Sequence, residues 1–167
     1  MIDMRCAETR RDFEAVDVLL AEMADWDIQA SLLHDVPTER IRETFYSDSV
    51  DDMMEKFTAP AGRVLLAGNA EGVGGCIVFA RTDDETGEVY KLFVRPQFRG
   101  KGIARTLLST ALDELKSEGI RTVRLETANF MTDAITLYRS FDFTPCPAFR
   151  PVWPEFEPSS LFFKRKF

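Results

Sequence analysis

Two glycines and four cations stand together in the run Val94-Arg95-Pro96-Gln97-Phe98-Arg99-Gly100-Lys101-Gly102-Ile103-Ala104-Arg105. Gly100 and Gly102 remove side chains where backbone can wrap closely around an anion. From Gly102 to Glu118, the residues Ile103, Leu107, Leu108, Ala111, Leu112 and Leu115 recur at helical spacing. A helix that starts there presents unpaired N–H groups and a positive dipole end to the same place. With Arg95, Arg99, Lys101 and Arg105 nearby, the combination suits a phosphate or pyrophosphate. Two common nucleotide motifs fail. A dinucleotide fingerprint needs glycine at Arg105, and a P-loop needs Ser or Thr where Gly102 follows Lys101. A Gly-x-Gly turn also serves as a plain loop; the cations and the helix start favour the ligand site.

Charge sets this segment apart from the rest of the chain. The 167 residues carry a formal net charge of -7, from 21 Lys and Arg against 28 Asp and Glu. Residues 1–90 hold 8 basic and 20 acidic side chains, whereas residues 91–124 hold 8 basic and 3 acidic. The acidic total argues against a general nucleic-acid binder, whose affinity comes from phosphate neutralisation, but leaves room for a local anion site. Cys6, Cys76 and Cys146 are far apart and odd in number, and His34 is the sole histidine. That inventory predicts neither a disulfide framework nor a metal centre. Cys76, inside an apolar run, reads as a small core residue. With no basic-then-apolar leader and no apolar run near membrane length, the expectation is a reduced, cytoplasmic protein.

Several elements must position the loop. Residues 2–8 suggest a first strand, and Phe13, Val16, Leu19, Leu20 and Met23 recur at helical spacing between Asp12 and Ile28. One further helical stretch opens at Pro37 and ends before Pro60-Ala61-Gly62. The runs Arg63–Ala67, Gly74–Ala80 and Glu88–Val94 read as an antiparallel meander. Helix Gly102–Glu118, strand Thr122–Thr127 and a helix from Thr132 to about Phe141 follow. Two late strands are expected near Phe143–Phe149 and Ser160–Phe167. A single α+β domain over residues 1–167 is predicted.

The segment Gln97-Phe98-Arg99-Gly100-Lys101-Gly102 resembles the Gln/Arg-x-x-Gly-x-Gly/Ala signature of the GNAT N-acetyltransferases. A second block, Ala134-Ile135-Thr136-Leu137-Tyr138-Arg139-Ser140-Phe141-Asp142-Phe143, resembles that family's A-I-x-L-Y-x-x-x-G-F segment, and Gly87–Val94 looks like its fourth strand. The resemblance is clear from about Gly62 to Phe143 and weak over residues 1–60. Asp142 stands where the family usually has glycine, and Met131 where many relatives have asparagine. The resemblance implies an α/β three-layer fold: a mixed, mostly antiparallel sheet of about seven strands with about four helices.

It also implies acetyl-CoA as cosubstrate, with no metal, and an acetyl group passed directly to a primary amine of a small molecule or peptide. The pyrophosphate would sit at Gln97, Arg99, Gly100, Lys101, Gly102, Ile103 and Ala104. Backbone groups of Leu92, Phe93 and Val94 would hold the pantetheine arm, and an N–H near Phe93 or Val94 would face the oxyanion. Tyr138 matches the family's proton donor to the departing thiolate, as an alternative to a plain core tyrosine. A protonated amine cannot attack a thioester, so a base or water chain must remove its proton. Glu88 matches a base used by some members; it also reads as an ordinary strand-end carboxylate, and Glu126 is a second candidate.

In such a fold the first helices line the acceptor side. Here Asp25, Asp27, Asp35, Glu39 and Glu43 surround Trp26 and His34. A cationic amine acceptor is therefore expected, with solvated helix faces as the alternative. A non-catalytic acyl-CoA-binding or regulatory module on the same fold is the competing function, since fold alone does not fix activity. A nucleic-acid partner for the 91–124 block is a third reading, disfavoured because two glycines suit a compact anion. No membrane partner is expected. Similar proteins are commonly homodimers, though no dimer residue stands out.

Overall fold

Near-continuous apolar runs in the middle of the chain, covered on both faces, produce three long antiparallel strands, β2 (Gly62–Asn69), β3 (Gly72–Arg81) and β4 (Thr86–Val94), in a computed structural model that describes residues 1–167. β1 (Asp3–Cys6) joins the free edge of β2. Beyond β4 come β5 (Thr122–Ala128), β7 (Ser160–Lys166) and β6 (Thr144–Pro145), so the seven-stranded order is β1-β2-β3-β4-β5-β7-β6. Every neighbouring pair is antiparallel except β4 with β5. That parallel step needs a crossover, which is α4 (Ile103–Ser117).

Helices cover both faces of the sheet. α4 and α5 (Thr132–Ser140) lie on one face, where Leu107, Leu108, Ala111 and Leu115 pack against Ile77, Phe79, Val89, Val123 and Leu125. Each fully buried Leu, Ile, Val or Phe side chain among them contributes about 1.5–3 kcal/mol relative to exposure. On the other face, α1 (Arg10–Ser31) and α3 (Val50–Lys56) bring Phe13, Val16, Leu19 and Met53 onto Val64, Leu66, Cys76 and Val78. Cys76 is buried there, as its apolar neighbours suggested.

Two expectations change in detail. The single helical stretch from Pro37 to Phe57 is divided into a 3₁₀ turn (Thr38–Arg40), α2 (Ile41–Phe45) and α3, giving five α-helices. The division falls at Ser49, whose hydroxyl accepts from the Asp52 N–H at 3.1 Å while the Asp52 carboxylate accepts from the Ser49 N–H at 2.8 Å. This reciprocal capping box starts a new helix instead of continuing the old one. The strand expected near Phe143–Phe149 shrinks to Thr144–Pro145, because Pro145 has no N–H to donate and Pro147 repeats the deficit.

The sheet has a designed irregularity at its centre. Val78 pairs with Lys91 and Phe79 with Val89, so Tyr90 is an extra residue in β4. Such a bulge bends its strand and sharpens the local twist. Consistent with that, β4 and β5 pair only over Thr86–Val89 and Thr122–Leu125, although β4 runs on to Val94 and β5 to Ala128. The two strands part, and a cleft opens between them.

Candidate active site

The cleft has a volume of about 570 Å³ and runs from the start of α4, along the parted ends of β4 and β5, to α1, α2 and the segment after β6. Its two ends are built differently.

At the α4 end the backbone sets the shape. Gly100 (φ 75°) and Gly102 (φ 81°) both take the left-handed conformation that L side chains resist, and Gly102 is the N-cap of α4. The first helical bond runs from the Thr106 N–H to the Gly102 carbonyl at 3.0 Å, which leaves the N–H groups of Ile103, Ala104 and Arg105 without helical partners. Arg99, Gly100, Gly102, Ile103, Ala104 and Arg105 all line the cleft, as do Leu92, Phe93 and Val94. Gln97 and Lys101 lie outside the lining; both are exposed, and Lys101 Nζ stands 3.7 Å from Glu71.

The cations are fixed from below. Arg99 Nε donates to the Val94 carbonyl at 2.9 Å, and its guanidinium lies 5.5 Å from the Trp26 ring. Arg105 donates to Ser140 Oγ at 3.1 Å. Arg95 is turned away, held bidentately by Glu22 on α1 at 2.8 Å through both nitrogens. Three of the four cations therefore remain near the loop.

Tyr138 lines the cleft and is almost wholly buried. Burial pushes its hydroxyl pKa up to about 12, so the phenol is neutral and able to donate a proton. The C-terminus of α5 fixes it. The Phe143 N–H donates to the Tyr138 carbonyl at 3.1 Å, and the Asp142 N–H donates to the Arg139 carbonyl at 3.1 Å. With Asp142 at φ 65°, this is a complete Schellman motif, and the Tyr138 and Phe143 rings pack edge to face, 5.9 Å apart. Asp142 thus adopts the left-handed conformation for which glycine is usual.

The opposite end is assembled from side chains of distant segments. Glu88 of β4 is buried; one carboxylate oxygen is bonded by Arg150, and the other lies 3.8 Å from Arg124 Nε. Glu126 of β5 lies 3.5 Å from Arg150, and burial raises its pKa against the opposing pull of Lys91. Asp27 of α1 accepts a 3.0 Å hydrogen bond from the Tyr46 hydroxyl. Burial raises the Asp27 pKa too, with Tyr46, Lys91 and Ser31 opposing. Arg150 and the buried Phe156, from the Pro-rich segment before β7, close this end, where Phe156 packs edge to face on Phe45 of α2.

Of the five acidic residues expected to face the acceptor, Asp27 alone lines the cleft. Asp25 is paired with Arg42 and Glu43 with Arg40, both at the surface. His34 stacks on Phe130 at 4.7 Å. Sequence reasoning missed Lys91, Tyr46, Arg150 and Phe156 as cleft residues. For Lys91 a signal existed, because it is a lone charge among the apolar residues between Val89 and Val94. Arg150 and Phe156 reach the site through the tertiary fold and left no local mark.

Comparison with known proteins agrees with this geometry. The profile of the acetyltransferase (GNAT) family matches residues 22–143. An IAA acetyltransferase of Azospirillum brasilense is 34% identical over 113 residues, a match covering 67% of this chain and 72% of that protein. A mycothiol acetyltransferase of Thermobispora bispora is 37% identical over 95 residues, covering 54% of this chain and only 32% of that longer protein. Among solved structures, the PaiA N-acetyltransferase of Thermoplasma acidophilum in complex with coenzyme A superposes with a TM-score of 0.76. That superposition covers 100% of this chain and 99% of the other at 18% identity, a likeness of fold. No helix is long and apolar enough to cross a membrane.

Proposed function

Because this chain belongs to the GNAT family and is an acetyltransferase, we propose that residues 1–167 form one catalytic domain that moves the acetyl group of acetyl-CoA directly to a primary amine of a small molecule or peptide. The observation that carries this reading is the parting of β4 from β5 in line with the left-handed Gly100–Gly102 loop. A pyrophosphate fits that loop because the α4 N–H groups and Arg99 converge there without needing side chains from elsewhere. The pantetheine arm then lies along Leu92–Val94, whose edge toward β5 has no strand partner, the Val94 carbonyl accepting from Arg99 Nε. The thioester reaches the middle of the cleft, near Tyr138.

The reaction needs a neutral amine, a stabilised oxyanion and a protonated leaving thiol. Glu126 takes the ammonium proton, a role supported by its elevated pKa and its place in the cleft wall. Glu88, the base implied by resemblance, is the more deeply buried carboxylate and lies between Arg150 and Arg124, whereas Glu126 meets Arg150 alone at 3.5 Å, which supports a positioning role for Glu88. The amine nitrogen then attacks the thioester carbonyl, and an N–H of β4 near Phe93 or Val94 faces the developing negative charge. Collapse expels the thiolate, which takes the Tyr138 hydroxyl proton, and the remaining extra proton on the amide nitrogen restores the tyrosine. The cleft's acceptor end sets Asp27, Glu88 and Glu126 beside Lys91 and Arg150, so it suits a polar amine without favouring a polycation.

The test is release of free CoA thiol from acetyl-CoA over a panel of amines. Amine-dependent release with formation of the acetamide is expected. Multiple-turnover release, beyond one equivalent per chain, that ignores the amine overturns the reading.

A further inference from the structure

The chain has six lysines, Lys56, Lys91, Lys101, Lys116, Lys164 and Lys166, and only Lys91 lines the cleft. Others sit at the surface beside carboxylates: Lys56 Nζ is 2.6 Å from Asp48, and Lys101 Nζ is 3.7 Å from Glu71. The Lys91 backbone is held in the ladder opposite Val78, while its side chain makes no ion pair. Its Nζ is held instead over two rings, 4.6 Å from that of Tyr46 and 5.9 Å from that of Phe45. It stands next to the Tyr90 bulge, at the end of the β4 segment that parts from β5, and it also borders a smaller cavity of about 290 Å³ shared with Met53, Phe57 and Val78.

This placement matters if the cofactor lies as proposed above, a reading on which the inference rests. A pantetheine arm laid along Leu92–Val94 ends its thioester beside the next residue of the strand, about 3.3 Å further along. That residue is Lys91. We propose that Lys91 is a self-acetylation site, where the enzyme's own amine takes the acetyl group from bound acetyl-CoA when no acceptor occupies the cleft.

The chemistry balances without another reactant. The lone pair of neutral Nζ attacks the acetyl carbonyl carbon, a C–N bond forms and the C–S bond breaks. CoA departs as the thiolate and takes up the proton released from nitrogen. The products are an Nε-acetyl-lysine amide and free CoA thiol. Burial favours the neutral amine by lowering the Lys91 pKa, while Asp27, Glu126 and Asp48 pull the other way. Acetylation would also remove the cation standing among Asp27 and Glu126, leaving the acceptor end more acidic.

Incubation of the full chain with acetyl-CoA alone, followed by intact-mass and peptide mass spectrometry over time, tests the proposal. The expected result is a gain of a single acetyl group, on Lys91, appearing before any label on Lys101 or Lys116. Its rate should saturate with acetyl-CoA, fall when excess CoA competes, and the label should be lost in Lys91→Arg. Acetylation by free solution chemistry would favour the exposed lysines and rise in proportion to acetyl-CoA. That pattern overturns the proposal, and it is read on the unaltered chain even if Lys91→Arg fails to fold. An unlabelled Lys91 in a preparation that acetylates an added amine overturns the self-acetylation alone. If acetyl-CoA produces no thermal shift and no amine is acetylated, the cofactor reading fails and the inference fails with it.

Discussion

The two ends of one cleft obey different construction rules. At the α4 end, shape comes from backbone: two left-handed glycines, a bare helix start and the unpaired edge of a bulged strand. At the other end, Asp27, Tyr46, Glu88, Lys91, Glu126 and Arg150 converge from α1, the end of α2, two strands and a loop before β7. A site made from backbone tolerates many side chains and demands a few conformations. A site made from side chains demands identity at scattered positions. The first kind suits a cofactor shared by a whole family, and the second suits an acceptor that differs among its members.

Side chains that meet the reacting atoms should show the largest effects. Tyr138→Phe keeps the ring and its packing on Phe143 but removes the proton donor, so kcat should fall by ~10²–10⁴-fold with little change in the KM for acetyl-CoA. An unchanged kcat removes Tyr138 from the chemistry. Glu126→Gln should fall in the same range and also change the pH profile. A carboxylate whose pKa is raised stays protonated, and so inactive as a base, to higher pH than an ordinary glutamate. The acid limb of kcat/KM should therefore lie above the usual carboxylate range, and it should vanish in Glu126→Gln. If the limb persists there and vanishes in Glu88→Gln, the base is Glu88. Thermal melts sharpen the contrast, because Glu88 is the more deeply buried of the two carboxylates that meet Arg150, so Glu88→Gln should lower Tm more than Glu126→Gln does.

Backbone effects come next and test the other half of the comparison. In Gly102→Val a β-branched residue must adopt φ near 81°, where L residues pay about 1–2 kcal/mol. The KM for acetyl-CoA should rise roughly 5- to 30-fold, with kcat largely retained. Lys101→Ala, at an exposed position of the same loop, should change it by no more than about threefold, the scale of an exposed charge contact. If Lys101→Ala proves the more damaging, side-chain charge governs this end and the distinction collapses.

The difference also explains what could be read from the sequence. The α4 end of the cleft lies within one continuous stretch, from Val94 to Arg105, where glycine spacing, cation density and helical periodicity all speak locally. The place of Tyr138 in the cleft wall was legible because α5 and its C-terminal turn form a second continuous block. The strand meander and α4 followed from hydrophobic periodicity alone. The acceptor end has no such record: Arg150 is 62 residues from Glu88, and Tyr46 is 19 from Asp27. Composition pointed to acid on the first helices, yet Asp25 and Glu43 are paired with arginines at the surface. Counting charge along a chain cannot tell which face of a helix bears it. The division between α2 and α3 was missed for a related reason, since apolar spacing continued across Ser49 while a capping box ended the helix there.

The smallest effect concerns the one non-glycine residue of the chain with positive φ. Asp142 holds φ 65° at the end of α5, where the turn requires a left-handed residue. Aspartate tolerates that conformation better than most L residues, though less well than glycine. Asp142→Gly should therefore stabilise the protein by about 0.5–1 kcal/mol, net of glycine's greater entropy when unfolded. Denaturant unfolding at fixed pH reads this as a higher midpoint with an unchanged slope. Activity should stay as it was, because the Phe143 N–H already anchors Tyr138 through its carbonyl. A drop in kcat without loss of stability would mean that the Asp142 side chain, and not only the turn it makes, helps to set the position of Tyr138.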